Sequence, residues 1–263
     1  MRRVVFNQKG GVGKSTITCN LAAISAQKGK RTLVVDLDPQ GNSTQYLLGG
    51  NAVAPEATLA DFFEQSLVFR LDPRKTIDFA TATPFERLSV LPSHPSLEEL
   101  QGKLESRYKI YKLREALDEV AGYFDQVFID TPPALNFFTR SALIAADACL
   151  IPFDCDEFSR NALYSLLANA EEIRSDHNRD LKVEGIVVNQ YQPRANLPQK
   201  VVQELIDEGL PVLQPYLSAS VKIKESHERS LPMIHLDARH KLTQEFIALY
   251  DNLGAKKKKT KAA

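Results

Sequence analysis

Short runs of apolar residues alternate with helix-forming stretches along most of this chain. Six apolar runs predict buried strands, at residues 2–6, 32–38, 88–93, 126–133, 148–154 and 183–191. Four other stretches predict helices, at residues 15–30, 109–123, 159–175 and 241–253. Buried strands that alternate with helices are typical of βαβ units, in which helices cover both faces of a parallel sheet. The pattern therefore predicts an α/β fold with a mostly parallel, twisted β-sheet flanked by helices on both faces.

The regular pattern weakens over residues 50–87 and 192–235, which we expect to form irregular excursions from the sheet. No internal repeat and no linker rich in proline, glycine or serine divides the sequence. We therefore expect a single domain over residues 1–254, followed by a disordered lysine-rich tail over residues 255–263.

Composition narrows the class of protein. The 263 residues are 43% hydrophobic and 25% charged, and no apolar run approaches the roughly 18 residues of a membrane-spanning helix. Cys19, Cys149 and Cys155 form no C-x-x-C pair and are typical of buried small residues in a reducing compartment. Because no signal-peptide pattern is present either, we expect a cytoplasmic protein.

Charge is unevenly distributed, although the chain carries 33 basic and 33 acidic residues. The last eight residues, KKKKTKAA, contain five lysines and no acidic residue, so the rest has a net charge of about −5. Such a tail suits an anionic partner surface. It suits equally well a disordered segment that only improves solubility.

The segment NQKGGVGKST, residues 7–16, lies between a predicted strand and a predicted helix. Its ending matches a phosphate-binding loop, in which glycine N–H groups and the helix dipole surround phosphate oxygens. The residues predicted to bind the phosphates of a nucleotide cofactor are Gly10, Gly11, Val12, Gly13, Lys14, Ser15 and Thr16. In this pattern Lys14 reaches the β- and γ-phosphates, and the Ser15 hydroxyl ligates Mg²⁺. The loop is unusual because Gln8 stands where glycine is expected and Lys9 follows it.

Three aspartates lie at the ends of predicted strands, where ligands bind in open α/β sheets. Asp130 ends the segment FDQVFID, as a Walker B acid that holds Mg²⁺ through water would. Asp36 and Asp38 end the second strand, and alternation along a strand would turn both toward the phosphates. One of them could then join the metal shell while the outer one orients the attacking water.

Together, KGGVGKS, DLDPQGNST, YFDQVFIDTPP and VVNQYQPR resemble the ParA/MinD group of deviant Walker A ATPases, and most closely the small ParA/Soj-type partition ATPases. The resemblance runs from about residue 3 to about residue 250. It implies a P-loop NTPase that binds ATP and Mg²⁺ and forms a homodimer with ATP sandwiched between the subunits.

The resemblance also implies the catalytic residues, which are Lys9, Lys14 and Asp38. Lys9 matches the signature lysine that crosses the dimer interface to the partner's nucleotide, and Asp38 matches the acid that positions water. A lysine donated in trans supplies positive charge to the transition state, as an arginine finger does. Hydrolysis would then depend on dimerisation.

The ligand contacts follow from the same resemblance. Ser15, Asp36 and Asp130 match the residues at and around the metal, and Asn189 falls where the family places an adenine contact. The chain departs from many relatives at Ser218–Ala219, where they carry a Pro-Arg pair.

Three functions fit this resemblance: a DNA-binding positioning ATPase, a MinD-like ATPase that binds membranes, and an iron–sulfur carrier or reductase. The third is disfavoured because no C-x-x-C pair exists. The second is disfavoured because the apolar stripe of helix 241–253 is typical of a core-packing helix. In addition, no hydrophobic residue that could insert into lipid follows the tail lysines.

DNA is the favoured partner because basic residues recur in the last third of the chain. The candidate DNA-binding residues are Arg194, Lys200, Lys222, Lys224 and Arg229. Lysine and arginine contacts to phosphate give sequence-independent, salt-sensitive binding. The resemblance further implies a ParB-like or other activating partner protein and a location in the cytoplasm, associated with the nucleoid. The cargo, whether a plasmid, a chromosome or a protein cluster, is left open by the sequence.

Overall fold

The computed structural model describes residues 1–50, 55–155 and 157–254. The predicted lysine-rich tail lies outside the described residues. Strands of the described part form one seven-stranded sheet: β1 (Arg2–Val5), β2 (Thr32–Asp36), β3 (Thr81–Ala82), β4 (Leu88–Leu91), β5 (Gln126–Asp130), β6 (Ala148–Asp154) and β7 (Lys182–Asn189). All six predicted strands are confirmed, and only the two-residue β3 was not predicted.

The spatial order of the strands is β3-β4-β2-β5-β1-β6-β7, and only the β3–β4 pair is antiparallel. In this order β1 lies between β5 and β6, and β5 lies between β1 and β2. The carboxyl ends of these central strands therefore meet at one edge of the sheet. Asp130 at the end of β5 pairs in register with Asp36 at the end of β2, so two of the predicted acids are neighbours.

The helices connect and cover the strands. In the described part of the chain they are α1 (Lys14–Gln27), α2 (Asn42–Leu48), α3 (Leu59–Leu67), α4 (Leu97–Ser106), α5 (Lys112–Glu119), α6 (Phe137–Ala145), α7 (Glu157–Asp176), α8 (Asn196–Asp207), α9 (Lys222–Glu228), α10 (Met233–Leu236) and α11 (Lys241–Asn252), with a short 3₁₀ helix at Thr76–Phe79. The four predicted helices correspond to α1, α5, α7 and α11. The first of them begins one residue early, and α5 is several residues shorter than predicted.

The two regions predicted to be irregular excursions from the sheet contain short helices that the sequence interpretation did not predict. The first contains α3, whose start carries a capping box in which Thr58 and Asp61 each bind the other's backbone N–H. The second contains α8, which buries Val201, Val202 and Leu205 along one face. Both signals were present in the sequence, but they are short and lie outside the strand–helix alternation.

Two buried clusters, one on each face, confirm that helices cover both faces of the sheet. The first packs α3 to α8 against the sheet, and the second packs α1, α2, α10 and α11. In the second cluster Leu242, Phe246 and Leu249 of α11 are buried, and α11 contacts α1. The predicted core-packing role of this helix is therefore confirmed. Among the described helices, none has the length and apolar character that crossing a bilayer requires.

Candidate nucleotide-binding site

The loop between β1 and α1 has a backbone conformation that requires glycine at two positions. Gly11 and Gly13 adopt φ angles of +77° and +90°, in the left-handed region that L side chains rarely enter. Gly13 is also packed tightly, since a Cβ added there would lie 2.4 Å from Asn189 Nδ2. Any side chain at this position would therefore both strain the backbone and displace Asn189.

Two asparagines hold the loop in place from either side. Asn7 Nδ2 donates to the Pro152 carbonyl at 2.7 Å, and its Oδ1 accepts from the Lys9 N–H at 2.8 Å. Asn189, at the end of β7, donates from Nδ2 to the Val12 carbonyl at 3.0 Å. Asn189 therefore positions the phosphate loop directly, a role that the sequence interpretation did not include. Its predicted adenine contact stays a prediction.

The two lysines of the loop lie in different environments. Lys14 is buried, and its Nζ donates to the Lys9 carbonyl at 3.0 Å. Burial lowers the pKa of Lys14, while the charges of Asp130 and Asp38 act to raise it. Lys9, by contrast, is exposed. An anion bound in the loop would favour the charged form of Lys14.

Asp130 is fully buried behind the loop. Its Oδ2 accepts from the Ser43 hydroxyl at 2.7 Å, whereas Oδ1 has no hydrogen-bond partner within the described residues. Burial raises the pKa of this carboxyl, and the hydroxyls of Ser15 and Ser43 and the charge of Lys14 act to lower it. A buried carboxylate oxygen without a partner needs a donor or a cation.

These observations fit Mg²⁺. The free oxygen of Asp130 and the nearby Ser15 hydroxyl are both hard oxygen ligands, the kind that Mg²⁺ prefers. No group of three His, Cys, Asp or Glu side chains in the described ranges could hold a metal alone. A magnesium ion here would take its remaining ligands from water and phosphate, as is usual for this ion.

Asp36 and Asp38 are not equivalent. Strand β2 ends at Asp36, so the alternation expected to turn both toward the phosphates does not continue to Asp38. Asp38 lines the pocket, while the Asp36 Oδ2 accepts two 2.7 Å hydrogen bonds from the N–H and hydroxyl of Thr44. Burial, with the neighbouring charge of Asp130, raises the pKa of Asp36. The metal role of Asp36 stays a prediction.

Helix α2 supplies site residues that the sequence analysis did not single out. Ser43 binds Asp130, Thr44 binds Asp36, and the Tyr46 hydroxyl lies 2.5 Å from Ser226 Oγ. Ser93, in the loop after β4, donates from its hydroxyl to the Asp38 carbonyl at 2.5 Å. The motif DLDPQGNST contains Ser43 and Thr44, but their acceptors could be identified only once the strand order was known.

These elements enclose a pocket of about 530 Å³ over the loop. Its lining residues are Gly10, Gly11, Gly13, Lys14, Ser15, Thr16, Asp38, Gln40, Asn42, Gln45, Tyr46, Pro133 and His227. Most of the predicted loop residues therefore line one cavity together with Asp38. Val12 is buried and contributes its carbonyl to the Asn189 contact.

The candidate DNA-binding residues lie on three elements outside this pocket. Arg194 is in the loop after β7, Lys200 is on α8, and Lys222, Lys224 and Arg229 lie on or next to α9. Glu225 pairs with Lys222 at 2.8 Å and with Arg229 at 3.3 Å. Lys200 lies 3.9 Å from Glu204. These acids reduce the local positive charge, and DNA contact by the five residues stays a prediction.

Comparison with known proteins places the chain in a family. Residues 3–183 match the family described as AAA domain. The chain is 32% identical over 249 residues to chromosome partitioning protein ParA of Myxococcus xanthus, which covers 93% of this chain and 84% of that protein. It is also 32% identical over 253 residues to sporulation initiation inhibitor protein Soj of Bacillus subtilis, with 95% and 97% covered.

Solved structures share the fold. Cobyrinic acid a,c-diamide synthase from Mycobacterium smegmatis, with bound ADP and magnesium, matches with a TM-score of 0.80 at 26% identity, covering 95% of this chain and 92% of that one. An ATP complex of Cyanothece McdA matches with a TM-score of 0.83 at 22% identity, covering 97% and 96%. The phosphate loop with its extra lysine, the aspartates at the strand ends and these relatives agree: the chain belongs to the ParA/MinD family of deviant Walker A ATPases, with ParA and Soj partition proteins among its relatives.

Proposed function

We propose that this chain is an ATPase that dimerises around ATP, binds DNA non-specifically as the dimer, and partitions or positions a cargo. The observation that carries the proposal is the exposed Lys9 directly ahead of a phosphate loop whose Lys14 shares one pocket with Asp38. A lysine that serves its own phosphates would be buried, as Lys14 is.

Nucleotide binding would use the loop in its present form. Backbone N–H groups around Gly11 and Gly13 would bind phosphate oxygens, and Lys14 Nζ would leave the Lys9 carbonyl for the β- and γ-phosphates. Mg²⁺, when bound, supplies charge that neutralises the phosphates. Ser15 would hold it directly, and Asp130 would hold it through water. The relative with bound ADP and magnesium supports this assignment.

Hydrolysis requires a positioned water and compensation of charge in the transition state. Asp38 is buried at the pocket wall, and its Oδ1 accepts from the Gln40 N–H at 3.0 Å, which restrains the carboxylate. It is suited to orient the attacking water. Lys9 of a second subunit would supply the positive charge, so the isolated monomer would hydrolyse ATP slowly. An activating partner protein, ParB-like or of another kind, would accelerate the step.

Similarity to ParA and Soj supports DNA as the surface on which the dimer acts. Burial of the α11 stripe argues against this helix as a membrane anchor, since its apolar residues are already in the core. Lys200 on α8, Lys224 on α9 and Arg229 just after α9 are exposed and would provide phosphate contacts of the sequence-independent kind.

Co-sedimentation tests the proposal directly. The purified protein is mixed with DNA or with anionic liposomes in the presence of ATP, ADP or no nucleotide. We expect binding to DNA with ATP only, and we expect Lys14→Ala to abolish both ATP binding and DNA binding. Binding to liposomes instead of DNA would replace the proposal with a membrane function. DNA binding of equal strength with ATP, with ADP and without nucleotide would contradict the proposal that ATP controls DNA binding.

A further inference from the structure

His227 reaches the nucleotide pocket from an element far away in the sequence. It lies on α9 and lines the pocket together with the phosphate loop. Its Nε2 lies 3.0 Å from Thr16 Oγ1, within hydrogen-bond distance. Thr16 directly follows Ser15 in the first turn of α1, so the imidazole lies beside the residues that would bind phosphate.

The position of His227 is set by a buried contact next to it. Ser226 is fully buried, and its hydroxyl lies 2.5 Å from the Tyr46 hydroxyl and donates to the Leu231 carbonyl at 2.5 Å. The Tyr46 and His227 rings meet edge to face, with centroids 4.8 Å apart. The imidazole is therefore supported on one side and open to the pocket on the other.

The chemistry of the imidazole suits a phosphate oxygen. His227 is partly exposed, and the burial of the rest of its ring lowers its pKa, which favours the neutral imidazole with one N–H donor and one acceptor. In a phosphate loop the lysine reaches the β- and γ-phosphates, while the loop amides cradle the α- and β-phosphates. The α-phosphate end of the nucleotide would therefore lie toward Thr16 and His227.

We propose that His227 binds the α-phosphate end of the nucleotide, donating a hydrogen bond in partnership with the Thr16 hydroxyl. The inference rests on the proposed function, because it assumes a nucleotide in this pocket. It assigns α9 to the nucleotide site as well as to the candidate DNA face. Lys222 and Lys224 are on the same short helix, so a nucleotide held by His227 would also restrain these lysines.

Two substitutions separate the hydrogen bond from the packing. His227→Phe keeps an aromatic ring against Tyr46 but removes the N–H, whereas His227→Gln keeps a hydrogen-bonding amide. We expect His227→Phe to weaken binding of both ATP and ADP about tenfold, since hydrogen bonds to charged groups are strong. We expect His227→Gln to recover most of the affinity. The loss should be equal for the two nucleotides, because both carry an α-phosphate.

His235→Phe is the matched control. His235 lies on α10, is exposed, and stacks on Phe85 with centroids 4.4 Å apart, but it is not among the described residues that line the pocket. This variant should bind both nucleotides like the unmodified chain, and all variants should keep the same melting temperature within a few degrees.

The affinity of each variant for ATP and ADP is measured by titration with fluorescent nucleotide analogues, with Lys14→Ala measured in parallel. Unchanged affinity in His227→Phe, or a loss confined to ATP, would overturn the His227 assignment alone, provided that Lys14→Ala abolishes binding. Nucleotide binding that survives Lys14→Ala would instead overturn the proposed function.

Discussion

Lys9 and Lys14 lie in one loop, yet the structure gives them opposite environments. Lys14 is held inward by the Lys9 carbonyl, and burial makes its charge costly until an anion arrives. Lys9 is exposed and directly precedes the glycines that line the pocket. At the scale of single residues, Lys14 is placed to bind the nucleotide of its own subunit, whereas Lys9 is placed to contact the nucleotide of a second subunit.

Lys9→Ala tests that division. We expect ATP binding to remain within about twofold, while hydrolysis falls by roughly 10³-fold or more, since a finger residue contributes on that order. ATP-dependent dimers should also be lost in sedimentation velocity. The control Lys30→Ala removes an exposed lysine after the end of α1 and should change neither property. Normal turnover in Lys9→Ala would contradict the trans role.

Asp36 has a consequence for stability as well as for the site. The folded protein raises the pKa of this buried carboxyl, so it holds a proton at pH values where the unfolded chain, with a carboxyl pKa of about 4, has lost it. The folded state then binds more protons than the unfolded state. By linkage, this group lowers the free energy of unfolding as pH rises above about 4.

Asp36→Asn should therefore flatten the dependence of the free energy of unfolding on pH between about pH 5 and pH 8. The measurement is urea unfolding at several pH values, without nucleotide or magnesium. Asp72→Asn, in an exposed loop, provides the control and should retain the slope of the unmodified chain. An unchanged slope in Asp36→Asn would mean that Asp36 is ionised in the folded protein.

At the scale of elements, α2 connects the parts of the site. Within its seven residues, Ser43 reaches β5, Thr44 reaches β2 and the loop after β4, and Tyr46 reaches α1 and α9. A displacement of α2 would therefore affect the Walker B acid and α9 together. Because α2 binds the aspartates at the ends of β2 and β5 and also contacts α9, it is a natural position for a change that follows nucleotide binding.

Tyr46→Phe tests this connection. It removes the hydroxyl that contacts Ser226 Oγ at 2.5 Å and Asn20 Nδ2 at 3.3 Å, and should lower the free energy of unfolding by about 1–2 kcal/mol. Tyr250→Phe is the control, since it removes a 3.1 Å hydrogen bond to Ser25 between α11 and α1. Both variants should lose stability, but only Tyr46→Phe should weaken nucleotide binding. If the two variants bound nucleotide equally well, the contact between α2 and α9 would have no part in nucleotide binding.

At the scale of the whole molecule, the nucleotide pocket and the C-terminal end of the described residues lie at opposite edges of the sheet. The pocket is at the carboxyl ends of the strands. Gly254, the last described residue, donates its N–H to Glu184 Oε1 at 2.7 Å, and Glu184 pairs with Arg3 of β1 at 2.7 Å. The described chain therefore ends near the amino ends of β1 and β7, away from the nucleotide pocket.

Removal of residues 255–263 should weaken DNA binding and reduce the salt dependence. Five lysines that neutralised phosphates would contribute about 4–5 to the slope of log K against log salt concentration. Because Gly254, the last described residue, lies far from the pocket, the truncated chain should still bind DNA only when ATP is present. The measurement is fluorescence anisotropy on labelled DNA over a salt series. An unchanged slope would leave the tail with a solubilising role only.

The amino-acid pattern alone accounts for the parts of this protein that depend on neighbouring residues. Runs of apolar residues specified the six principal strands, since a strand buried on both faces needs an unbroken apolar segment. The loop motif specified its own geometry, because Gly11 and Gly13 provide the left-handed turns that phosphate binding uses. The aspartates could be assigned to strand ends for the same local reason.

The identity of the distant side chains that complete the site depends on how the strands and helices pack together. Asp36 and Asp130 are neighbours because β2 and β5 are adjacent in the sheet, and that order is not written in the local pattern. Ser93 reaches Asp38, and His227 reaches Thr16, only after strands and helices are packed. Hydrogen bonds of this kind depend on positions accurate to a few tenths of an ångström, whereas periodicity specifies only which face of an element is buried.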